Sequence, residues 1–204
     1  MINLLLVEDD EKQIELYTDT LEELSEEGEK IFPHICRTYA EGVDAVSNRY
    51  FDAAIVDLKL SAADMEASGN EIIRTIVKAA RYPIYVVSGN IQDLDRDIIE
   101  HKLVTAMNRD VLKRQVLDDI VKTYKTGITE LIGNTGTIEK WIDKIFWEHL
   151  VLSIDHWKSS DSDKINKKKS LLRYCILHLV EYLNQDDDGI DEVYDPAETY
   201  IMPP

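Results

Sequence analysis

The chain has 204 residues, 44% of them hydrophobic, and a formal net charge of -17. That length and apolar content allow one domain of about 120 residues plus a smaller one, and they exclude disorder throughout. The charge argues against a nucleic-acid binder, because phosphate contacts need clustered Lys and Arg; residues 1–119 hold 13 basic and 25 acidic side chains, and residues 120–204 hold 10 and 15.

The first strand is expected over Leu4-Leu5-Leu6-Val7, which ends in Glu8-Asp9-Asp10. Without a basic flank, this N-terminal run reads as a strand and not as a signal peptide. Lys12 to Glu27 then carries Ile14, Tyr17, Leu21 and Leu24 at helical spacing, with Gly28 placed to end the helix. A second strand over Phe32 to Arg37 and a short helix near Gly42 to Asn48 lead to a third strand, Phe51 to Leu58, whose apolar run Ala53-Ala54-Ile55-Val56 ends at Asp57.

Gly69 to Ala80 repeats the helical period, and Pro83 opens the run Ile84-Tyr85-Val86-Val87 that ends in Ser88-Gly89. A weaker, charged helix over Ile91 to His101, a short fifth strand over Leu103 to Met107 and an amphipathic helix over Val111 to Lys125 complete the alternation. Five strand-helix units predict an α/β fold with a doubly wound, five-stranded parallel sheet over residues 1–125.

Three glycines between Thr126 and Gly136 mark residues 126–136 as a linker. Beyond it the pattern is helical only. Ile138 to Trp157 and Leu171 to Leu183 carry broad apolar stripes, which predicts an antiparallel helical hairpin within residues 137–184, followed by an acidic tail over 185–204. One partner helix cannot cover so broad a stripe, so packing on the first domain or homodimerisation is expected.

Cys36 and Cys175 have no metal-ligand spacing and read as free thiols of a reducing compartment, with cytoplasm as the default. No stretch approaches the roughly 18 consecutive apolar residues of a membrane span.

Two buried strands thus deliver carboxylates to one sheet edge, and ligands of such sheets sit beyond the strands' carboxyl ends. Read together, Leu4-Leu5-Leu6-Val7-Glu8-Asp9-Asp10, Asp52-Ala53-Ala54-Ile55-Val56-Asp57-Leu58-Lys59-Leu60 and Pro83-Ile84-Tyr85-Val86-Val87-Ser88-Gly89 resemble the response regulator receiver (CheY-like) family of two-component signalling. The resemblance covers about residues 1 to 122 and implies a flavodoxin-like receiver fold. It implies Asp57 as phospho-acceptor, Glu8 and Asp9 as the acidic pair beside it, Ser88 as the switch hydroxyl, and magnesium held by Asp9, Asp57 and the backbone carbonyl of Lys59, with Glu8 in the same acidic set. A histidine kinase or phosphotransfer protein is the implied partner, with no direct nucleic-acid or membrane contact. Such a domain is a signalling module whose only expected chemistry is self-phosphoryl transfer and autodephosphorylation. Asp10 is expected to cap the first helix.

Residue chemistry supports the same assignment. Phosphoryl transfer to a carboxylate needs a nucleophilic oxygen in line with the donor and a hard cation to neutralise the equatorial oxygens.

The chain also departs from the family's pattern. A lysine is expected at the end of the fifth strand, where Met107 stands, or Ala106 if the alignment slips by one; Arg109 or Lys102 are the nearby cations that could substitute. The aromatic switch position is Val104. The loop Ser61-Ala62-Ala63-Asp64-Met65-Glu66-Ala67-Ser68 delays the expected glycine to Gly69, and Asp64 or Glu66 could add a ligand, although a solvated loop is the plainer reading.

An atypical receiver is therefore expected, acting through protein contacts of its helical C-terminal region on an unknown target. The alternative is a pseudo-receiver scaffold independent of phosphorylation. A metal-dependent phosphatase is disfavoured, because Asp57-Leu58-Lys59-Leu60 lacks the second aspartate of a DxD pattern. His149 and His156, seven apart, would share a helix face, but nothing around them resembles a phosphotransfer motif. The four lysines within Lys164 to Lys169 read as a solvated face in so acidic a chain.

Overall fold

The computed structural model describes residues 1–60, 69–134, 136–159 and 164–185. Asp64, Glu66 and the acidic tail lie outside these residues. The chain divides into two compact units, Met1–Thr137 and Ile138–Pro204.

The first unit is built on five parallel strands: β1 (Ile2–Val7), β2 (Ile31–Cys36), β3 (Ala53–Val56), β4 (Ile84–Ser88) and β5 (Val104–Asn108), in the order β2-β1-β3-β4-β5. This is the flavodoxin-like doubly wound order. Between the strands run α1 (Glu11–Glu26), α2 (Tyr39–Asn48), α3 (Gly69–Ala79) and a one-turn α4 (Arg96–Ile99); α5 (Lys113–Tyr124) and a short α6 (Ile128–Ile132) follow.

Strand alternation divides the core between the two sheet faces. Leu5, Val7, Ala54, Val56, Ile84 and Val86 pack on Ile72, Ile73 and Ile76 of α3, while Leu4, Leu6, Ile55, Tyr85 and Val87 pack on Tyr17 and Leu21 of α1 and Val116, Leu117 and Ile120 of α5. β3 and β4 are buried along their whole length, as parallel strands covered on both faces must be. β5, like β2, is an edge strand, and Thr105 and Ala106 are exposed.

The ends of α1 are set by local chemistry. Asp10 caps it, its Oδ1 accepting from the Lys12 N–H at 3.0 Å. At the other end Gly28 adopts φ 99°, and the N–H groups of Gly28 and Glu29 bond the carbonyls of Ser25 and Leu24. That is a Schellman ending, whose left-handed residue favours glycine.

Three expectations about elements need correction. The charged helix expected over Ile91 to His101 is a 3-10 turn at Ile91–Asp93 followed by the single turn of α4. Asp95 and Asp97 bond instead to Arg74 on α3, at 2.7 and 3.0 Å, so the acids of this stretch serve a tertiary pair and not a local helix. Residues 126–136, read as a linker, carry α6, and Asn134 Nδ2 donates to the Ala79 carbonyl at 2.5 Å within the first unit.

In the second unit the expected long helix over Ile138 to Trp157 is broken. α7 (Thr137–Ile145) passes into a π-helical turn at Phe146–Leu150, closed by Val151 N–H to Phe146 C=O at 2.9 Å, and α8 (Ile154–Ser159) starts afresh. The turn ends the apolar phase, which leaves Leu152 and Ile154 exposed. It also separates His149 from His156, so no continuous helix gives them a common face. The last helix, α9, runs from Lys164 to Gln185. Trp141 meets Tyr182, and His149 meets Tyr174, His178 and Tyr182, a descending pairing that makes α9 antiparallel to α7 and the π turn.

Candidate functional site

Register brings the acids together. Val7 of β1 pairs with Val56 of β3, so Glu8 and Asp57 leave the sheet at the same level on neighbouring strands. Val56 pairs with Val86, which puts Ser88 one step further along β4. The backbone is tied at this edge by Asp57 N–H to Val7 C=O at 2.9 Å and Glu8 N–H to Cys36 C=O at 3.0 Å.

Glu8, Asp57 and Ser88 are all buried, at 3%, 1% and 0% exposure. Asp9 is half-buried. Glu8, Asp9 and Asp57 each offer an oxygen, and those oxygens lie within 4.8 Å of one another. Burial pushes the Glu8 carboxyl up to about 7; the Asp10 N–H opposes this, Asp57 adds to it, and Arg109 opposes it. Three carboxylates so placed need a positive charge.

Arg109 supplies one. Its Nη2 binds Asp57 Oδ2 in a very short contact and Glu8 Oε1 at 3.2 Å, while Nη1 lies 3.7 Å from Asp10 Oδ2. Burial disfavours the guanidinium's charge, but Asp57, Glu8 and Asp10 outweigh it and raise its pKa. The family's lysine position, read as Met107, falls inside β5: the strand runs on to Asn108, and Met107 packs against the core. Arg109 is the first residue past the strand, held there by its N–H on the Ser88 carbonyl at 3.1 Å. Lys102 precedes β5 and so sits at the opposite sheet edge.

Two further residues border the site. Lys113, four residues after Arg109, is buried; its Nζ donates to the Arg109 carbonyl at 3.3 Å and lies 4.9 Å above the Tyr17 ring. Burial lowers its pKa, partly offset by Glu8. The Tyr17 hydroxyl is buried without a hydrogen-bond partner, and burial, then Glu8 and Asp57, raises its pKa. Sequence reading took Tyr17 as core only; the Arg109–Lys113 spacing was the available signal for the second cation.

The cleft above the acids is lined by Asp9, Asp10, Asp57, Lys59, Leu60, Asn90 and Arg109. Lys59 points its ammonium to Asp93 at 3.5 Å, and Ser88 Oγ accepts from the Asn90 N–H at 3.3 Å. Gly69, at the start of α3, packs against the end of β3: its N–H bonds the Leu58 carbonyl at 3.1 Å, and a Cβ there would meet the Asp57 carbonyl and lie 2.8 Å from Leu58 Cα. The late glycine is thus a close-approach position.

These residues fit a hard divalent cation. All the available donors are oxygens, and Asp57 Oδ1 is buried with no hydrogen-bond partner among the described residues, the donor set that magnesium takes.

Fold and site together define a receiver-like domain: a 2-1-3-4-5 parallel sheet with acids converging at the carboxyl ends of β1 and β3. Solved structures with a similar fold include a CheY-like receiver domain from Methanospirillum hungatei JF-1, at 21% identity and TM-score 0.48, covering 64% of this chain and 99% of that one. Another is the CheY-like receiver domain from Methylobacillus flagellatus, at 21% identity and TM-score 0.48, covering 60% and 98%. A third, at 17% identity and TM-score 0.48, covering 59% and 95%, is the receiver domain of a sensor histidine kinase from Pseudomonas aeruginosa PAO1, which holds magnesium in its active-site cleft. No protein-family model matches the sequence, and no curated protein matches it. Among the described residues no helix is long and apolar enough to cross a membrane.

Proposed function

We propose that the chain is an atypical response regulator receiver that accepts a phosphoryl group on Asp57 and acts through protein contacts of its helical unit. The observation that carries this reading is the buried Asp57 carboxylate, with Oδ1 unpartnered among the described residues and Oδ2 held by Arg109, among two further acids. Glu8, Asp9, Asp57 and the Lys59 carbonyl are the ligands proposed for magnesium. When bound, the cation neutralises charge on the transferring group's equatorial oxygens.

In the proposed step Asp57 Oδ1 attacks the phosphorus of the donor, the bond from phosphorus to the donor atom breaks, and the donor leaves with that electron pair. Arg109 keeps Oδ2 oriented and offsets the added negative charge, the part a strand-end lysine would play. Ser88 stands one step along the neighbouring strand and is proposed as the hydroxyl that follows the phosphoryl group. A histidine kinase or phosphotransfer protein is the proposed donor, in the cytoplasm.

A second reading, a scaffold that never takes phosphate, is favoured by the same Arg109–Asp57 pair, because the acceptor already carries a built-in counter-ion. Intact mass after incubation with a small phosphodonor and magnesium separates the two. A gain of one phosphoryl group in the parent and none in Asp57→Ala supports the receiver; no gain in either supports the scaffold.

A further inference from the structure

Helix α9 is apolar on two sides, and the second unit covers one of them. Tyr174, His178 and Tyr182 are partly buried on the side that meets Trp141 and His149. Next to it, Leu172, Ile176 and Val180 stand at four-residue steps with Leu177 beside them, and all four are about half exposed or more. A helix apolar over most of its circumference needs more than one partner.

Leu172, Ile176, Leu177 and Val180 are 60%, 50%, 64% and 48% exposed on neighbouring turns of one helix, and a contiguous exposed apolar patch of this kind marks an interaction site.

We infer that this face is covered by the same face of a second copy, the two α9 helices crossing antiparallel at Ile176 and Leu177. Charge fixes both the occupant and the direction. Lys169 and Arg173 flank the stripe before the crossing and Glu181 flanks it after, all exposed. An antiparallel two-fold pair sets Leu172 beside the partner's Val180 and Arg173 beside the partner's Glu181, each contact occurring twice because the interface is isologous. A parallel pair would set like charges against each other. This deepens the assignment of the helical unit to protein contact, and it stands whether or not Asp57 takes a phosphoryl group.

Sedimentation equilibrium of the full chain tests it, the expected species having twice the 23.5 kDa chain mass. Ile176→Asp should weaken association at least tenfold with helical circular dichroism unchanged. Arg173→Glu and Glu181→Arg should each weaken it, and the two together should restore it; because Glu181 also bonds His178 within its own helix at 2.8 Å, the double variant is the informative one. Should Ile176→Asp unfold, Ile176→Cys in a Cys175→Ser background keeps the test open: residue 176 faces itself across the two-fold axis and should oxidise to a linked dimer, whereas the same background without it should not. Lys169→Cys in that background, nearly two helical turns away, should not, since a disulfide needs Cα atoms within about 7 Å. A parent that stays monomeric, a double swap no tighter than the single ones, or cross-linking through position 169 and not 176 would each overturn the inference.

Discussion

The Arg109 guanidinium bridges Asp57 and Glu8 from the end of the edge strand β5, so the buried carboxylates have a protein counter-ion before any metal arrives. Removing it would leave Asp57, 1% exposed, without its cation. Breaking a buried pair from one side costs about 3 kcal/mol or more, and the third of the Arg109 side chain that is exposed moves this toward about 2 kcal/mol. Arg109→Met should therefore unfold at lower urea without magnesium, and saturating magnesium should recover most of the loss, because the cation then supplies the missing charge. Equal losses with and without magnesium would show that Arg109 and the cation do not share these acids.

Glu8 gives the apo protein a pH dependence with a definite sign. Its folded carboxyl titrates near 7 against an ordinary value of 4.5, so between these values the native state holds a proton that the unfolded state has lost. Stability should fall as pH rises from about 4.5 to about 7 and level off above, by on the order of 3 kcal/mol in all. Glu8→Gln should flatten that slope. Magnesium should shrink it as well, since a cation favours the ionised carboxylate. The check is urea unfolding at stepped pH; a slope unchanged by Glu8→Gln would assign it elsewhere.

How far the site could be read from sequence depended on which strand carried each part. From Leu4 onward β1, like β3 and β4, is buried on both faces, so each ends in an apolar run whose end is visible, and Glu8, Asp57 and Ser88 stand at those ends. β5 is an edge strand with Thr105 and Ala106 in solvent. Its end has no such mark, and stopping it at Met107 instead of Asn108 left Arg109 as one of two candidate cations, with Lys102, where the structure makes it the first residue beyond the strand. Register did the rest: nothing in the residues themselves says that Val7 and Val56 are level. The π turn at Phe146–Leu150 was illegible for a related reason, because an apolar stripe predicts a continuous helix and gives no sign of an inserted residue.

Gly28 and Gly69 differ in what they do, and alanine separates them. At Gly28, φ is 99° and a Cβ would meet nothing within 4 Å, so Gly28→Ala costs only the left-handed conformation, about 1–2 kcal/mol. The site acids lie at the far end of α1 from this turn. Magnesium binding, followed by the shift in urea midpoint on adding the cation, should match the parent.

Gly69 is a packing position. Its Cβ would press on the Asp57 carbonyl and the Leu58 Cα, and backbone cannot swing aside as a side chain does. Gly69→Ala should cost about 1–3 kcal/mol as an overpacked site, and it should also displace the Asp57–Leu58 backbone that aims the acceptor carboxylate. Unlike Gly28→Ala, it should weaken magnesium stabilisation and slow any mass gain from a phosphodonor. A Gly69→Ala protein that is destabilised but binds magnesium as the parent does would mean that the close approach of Gly69 to Asp57 and Leu58 does not position the acceptor.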